Sequence, residues 1–87
     1  MEYKENLLND VIRHVFISRR HARGLTQSNL SLISNTTRQF ISQVESGKRN
    51  PSLSSITSFA TAVNISLTEL FEEVDRLYAL WEEKQRP

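Results

Sequence analysis

Between residues 24 and 66 the chain sets a helix stop just ahead of a helix start four times over: Gly24 before Thr26, Asn35 before Thr37, Gly47 before Ser52, Asn64 before Ser66. Glycine and asparagine tolerate the left-handed backbone in which helices often end, while serine and threonine hydroxyls accept a free amide of the next first turn. Short helices at close spacing follow. With only two glycines and two prolines in 87 residues, long loops have little sequence to form from, and an all-α chain is expected.

Five helices are predicted. The first runs from about Asn6 to Arg23, with Leu8, Val11, Ile12, Val15 and Phe16 on one stripe at spacings of three and four. The second starts behind Thr26, carries a Leu25–Leu30 hydrophobic staple and ends near Ser34; the third starts behind Thr37 and runs to about Ser46. The fourth follows Ser52, with Leu53, Ile56, Phe59, Ala60 and Val63 as its inner face. Ser66 and Glu69 are spaced as a capping box, flanked by an Ile65–Leu70 staple, so the fifth helix is expected over 67–84. Its apolar positions, Leu67, Leu70, Phe71, Val74, Leu77, Tyr78 and Trp81, outrun the needs of a core this small.

A chain of this length buries only roughly 60% of the surface its unfolded form exposes, enough for one domain, 1–87, that a dimer interface would help to stabilise. There is no cysteine, hence no disulfide and no thiolate metal site; a soluble, cytoplasmic protein is expected, with neither signal peptide nor membrane span. His14 and His21 lie seven apart on one helix without an acidic neighbour at ligand spacing, and no nucleophile elbow or phosphate-cradling glycine loop occurs. Neither an enzyme nor a cofactor or metal site is expected.

Net charge is +1, but its layout is uneven. Residues 11–50 carry seven basic side chains against Glu45 alone, a net +6; residues 1–10 sum to −2 and residues 51–87 to −3. Cation density therefore coincides with the second and third helices, 26–46, which read as a helix-turn-helix. Arg38, Gln39 and Gln43 stand on one side of the third helix, and forked donors there suit the base edges of a DNA major groove. A solvated basic face is the alternative reading of the charge.

Three stretches together, Gly24-Leu25-Thr26-Gln27, then Phe40-Ile41-Ser42 with Glu45 and Gly47-Lys48-Arg49-Asn50-Pro51-Ser52-Leu53, then Leu67-Thr68-Glu69-Leu70-Phe71, resemble the Cro/phage-repressor (Xre-type) helix-turn-helix family, without a gap. The resemblance implies a compact five-helix, lambda-repressor-like bundle that places its third helix in the major groove of double-stranded DNA. It implies base reading by Arg38, Gln39 and Gln43, with Phe40 either packed or against a thymine methyl. Gln27, Thr37, Ser46, Lys48, Arg49 and Asn50 become phosphate candidates, and Arg20 with Glu45 a buried ion pair between the first and third helices.

Arg19, Ser34, Asn35 and Thr36 depart from the family pattern, where apolar residues or a turn glycine are usual. The function implied is a homodimeric transcription regulator on an inverted-repeat operator, with Val74, Leu77, Tyr78 and Trp81 as dimer interface. Two alternatives stay open for that last stripe. It folds back on Leu7, Leu8, Val11 and Val15, or it holds a partner protein, as in an antitoxin of a toxin–antitoxin pair or a restriction-modification controller.

Overall fold

A computed structural model describes residues 2–86, as five helices: α1 (Glu5–Ala22), α2 (Gln27–Ser34), α3 (Arg38–Glu45), α4 (Leu53–Ala62) and α5 (Leu67–Lys84). Thr26, Thr37, Ser52 and Ser66 each accept a backbone amide three residues on, and Asn35 and Asn64 are left-handed, at φ of 54° and 57°. At Ser66 only half of the expected capping box forms, since Glu69 donates its amide but returns no side-chain bond. The reciprocal box lies instead at Thr26, whose own amide donates to the Asn29 side chain. Asparagine at that position replaces the usual Glu or Gln.

The core fills the space between the long helices α1 and α5 and the three short ones. Val11, Val15, Leu70 and Tyr78 are fully buried, and Phe16 stacks on Phe59 with ring centres 4.0 Å apart. Leu53, expected on the inner face of α4, is 72% exposed: as the first residue of that helix it projects past the packed region, which begins at Ile56.

The stripe on α5 is also reassigned. Val74 and Tyr78 are 3% and 0% exposed within one chain, while Leu77 and Trp81 pack partly buried against the same core. These residues are spent on α1, the neighbour with which α5 makes its largest contact. Extra length in α1 explains why: it supplies Leu7, Val11 and Val15 to cover the stripe, and the His14 ring meets Trp81 edge-on at 5.3 Å. A dimer cannot use Val74 or Tyr78 without unpacking the monomer.

The N-terminal segment closes this end of the bundle. Tyr78 Oη accepts the Lys4 amide at 2.6 Å, and Tyr3 Oη donates to Asp75 Oδ1 at 2.5 Å. Asp75 raises the Tyr3 phenol above the ordinary tyrosine range, chiefly because the bond requires its proton. Arg19, unexpected on this helix, reaches across to Glu73 of α5, its Nε 2.8 Å from Oε2. Among the described residues, no helix is long and apolar enough to cross a membrane.

Candidate nucleic-acid interface

Helix α3 is anchored by two side chains, Ile41 and Val44, which are buried in the core. With about 100° between successive residues, that anchoring turns Arg38, Gln39 and Ser42 outward, with Gln43 half-buried on the flank. Ser42 is the residue sequence reasoning left out; the same arithmetic that selected Arg38 and Gln39 places it between them on the helix surface. Phe40 lies on the same flank as Gln43, half-buried and packed against the core.

A polar brace holds α3 to α1 and α2. Arg20 Nε and Nη2 donate to Glu45 Oε2 and Oε1 at 2.7 and 2.8 Å, with the two side chains 10% and 9% exposed. Arg20 Nη1 donates to the Leu25 carbonyl at 2.8 Å, and Gln27 Nε2 donates to Glu45 Oε1 at 3.1 Å. His21 Nε2 lies 3.1 Å from Arg20 Nη2. Glu45 thus gathers α1, α2 and α3 at one carboxylate, and no buried side-chain polar atom among the described residues is left without a partner. Gln27 is bound through one amide N–H.

Beyond α3 the chain doubles back. The amides of Lys48 and Arg49 both donate to the Gln43 carbonyl, at 2.9 and 3.2 Å, and Gly47 makes the bend at φ +82°. A side chain at Gly47 would meet the Arg13 guanidinium at 2.5 Å. Ser46, Lys48, Arg49 and Asn50 are all exposed here, while the Thr37 hydroxyl caps α3 through the Phe40 amide at 3.0 Å. One surface therefore combines the outer face of α3, the start of α2 at Gln27, and the cations of the 46–50 loop. Forked donors on the helix and positive charge at its end match the two demands of duplex DNA, base edges and phosphates.

Such a fold and surface define a DNA-binding transcription regulator rather than an enzyme. Residues 17–70 match the family HTH_3, described as helix-turn-helix, and the chain belongs to that family. It is 33% identical over 60 residues, 69% of its length and 78% of the relative's, to the HTH-type transcriptional regulator y4dJ of Sinorhizobium fredii. Among solved structures it resembles the restriction-modification controller C.AhdI from Aeromonas hydrophila, at 35% identity and a TM-score of 0.66 over 78% of this chain and all of that one. The controller C.Esp1396I superposes with a TM-score of 0.76 at 28% identity, over 79% of this chain and 88% of that one.

Proposed function

We propose that the chain binds an inverted-repeat operator as a homodimer, with α3 in the major groove. The observation that carries this is the exposure of Arg38 and Gln39 on a helix fixed by Ile41, Val44 and the Arg20–Glu45–Gln27 brace. Arg38 suits guanine O6 and N7, and Gln39 and Gln43 suit adenine N6 and N7, each bidentate pair discriminating by about 1–3 kcal/mol. Gln27, Thr37, Ser46, Lys48 and Asn50 form the backbone-contacting set. The likeness to C.Esp1396I supports the reading, because a mutant of that controller is known bound to its operator site.

The size of the helix favours two copies. An eight-residue helix is about 12 Å long and spans roughly three to four base pairs, too few to define a site. Two such helices about 34 Å apart on a twofold axis read successive major grooves. With Val74 and Tyr78 buried and Leu77 and Trp81 only partly exposed, the most exposed apolar residues on this side of α5 are Leu67 and Phe71, each about 40% exposed. The resemblance to two restriction-modification controllers favours that role over an antitoxin, for which a toxin co-purifying in stoichiometric amount is the requirement.

Alanine substitution tests the surface. Arg38→Ala and Gln39→Ala are predicted to relax base preference, whereas Lys48→Ala weakens binding to all duplexes alike and lowers the salt slope by about one. Unchanged base preference in both of the first pair would place the reading surface elsewhere.

A further inference from the structure

Arg49 is held differently from Lys48, the other cation of the loop. Its guanidinium carbon lies 5.3 Å from the centre of the Phe40 ring, within reach of cation–π attraction. It forms no ion pair among the described residues. The Arg49 amide, like that of Lys48, is tied back to the Gln43 carbonyl, and the Arg49 side chain lies beside α3 against Phe40. Thr37, Gln39, Phe40, Gln43 and Arg49 together line an open depression of about 190 Å³ on the flank of that helix. A cation, an aromatic face and two amides thus share one concave patch.

We infer that Arg49 reads a base, and that Phe40 and Arg49 together recognise a thymine–guanine step, the ring against the thymine methyl and the guanidinium on guanine O6 and N7. The inference rests on α3 lying in the major groove. Guanine presents two acceptors there, matched by the planar fork of arginine, and the thymine methyl takes an apolar contact such as phenylalanine. Base pairs rise by about 3.4 Å, so groups 5.3 Å apart meet the same pair or neighbouring ones. A phosphate contact does not call for the aromatic partner, whereas a thymine methyl beside a guanine does. Stacking on Phe40 instead restricts the fork before DNA arrives, so less freedom is lost when it docks.

The test is selection from random duplexes by the full chain, run on the unsubstituted protein, Arg49→Lys and Arg49→Ala, with folding followed by circular dichroism. Lysine keeps the charge and loses the fork. The expected result is one guanine per half-site that the unsubstituted chain selects and both variants lose, with about tenfold weaker binding to the selected duplex. Replacing that guanine by 7-deazaguanine then weakens the unsubstituted chain by a similar factor and leaves Arg49→Ala unaffected. Uracil in place of the adjacent thymine weakens binding several-fold; no effect of uracil overturns the thymine half. If both variants select the original sequence, Arg49→Lys binds like the unsubstituted chain, and Arg49→Ala only lowers the salt slope, Arg49 is a phosphate contact and the inference fails. That outcome leaves the regulator reading intact, whereas an unsubstituted chain that enriches no sequence removes both.

Discussion

Glu45 accepts three hydrogen bonds from two other helices, and its removal leaves the guanidinium of Arg20 nearly buried without a counter-charge. Breaking such a pair from one side costs about 3–5 kcal/mol, so Glu45→Ala is predicted to lower unfolding stability by that order in urea titrations. Glu45→Gln should lose less, because an amide oxygen still accepts from Arg20. Exchanging the charges, with glutamate at position 20 and arginine at 45, restores the attraction but sets a carboxylate against the Leu25 carbonyl, and full recovery is not expected. Gly47→Ala meets two obstacles at once, a left-handed φ and the Arg13 guanidinium, and a loss of about 1–2 kcal/mol is predicted from the backbone alone. The Arg20–Glu45 pair could be anticipated only through family resemblance, since 25 residues separate its members. Arg19–Glu73 had no such guide across 54 residues and was missed.

Helix starts were legible because a cap is a local event, settled by a hydroxyl and an amide three residues apart. Partners of a helix face are not local. The spacing of Val74, Leu77, Tyr78 and Trp81 defined a stripe correctly, yet periodicity says which side is apolar and nothing about what covers it. Leu53 shows the same limit at a helix end. The polar turn between α2 and α3 has a measurable consequence: Ser34 and Thr36 border a small, mostly apolar cavity of about 30 Å³, with Phe16, Leu30, Phe40, Ile41 and Phe59. At about 24 cal/mol per Å³ for an enclosed void, filling this half-open one is worth at most roughly 0.7 kcal/mol. Ser34→Val is therefore predicted to raise the denaturation midpoint modestly, and Ser34→Phe to lower it by overpacking. A lower midpoint for the valine variant would show that the Ser34 hydroxyl, which donates to the Leu30 carbonyl at 2.6 Å, outweighs the void.

At the scale of the whole molecule, α1 and α5 form a frame, and the short helices carry the face proposed to meet DNA. Tyr78 sits in that frame with no exposed surface, so Tyr78→Ala is predicted to destabilise the monomer by about 3–5 kcal/mol, seen as loss of helical signal on heating. Phe71→Lys, on the exposed edge of the same helix, should leave the fold intact and shift sedimentation from dimer to monomer. A dimer that survives Phe71→Lys places the second copy elsewhere on the chain. Family and fold class were readable in advance, because short capped helices and the 24–71 pattern are carried by contiguous residues; what covers the α5 stripe was not, because α1 and α5 meet only after folding. The central claim, specific binding of duplex DNA by two copies of α3, is tested most directly by selecting bound sequences from a random duplex pool with the full chain. The account predicts an enriched inverted repeat with half-site centres about one helical turn apart; a pool that stays random after repeated rounds would contradict it.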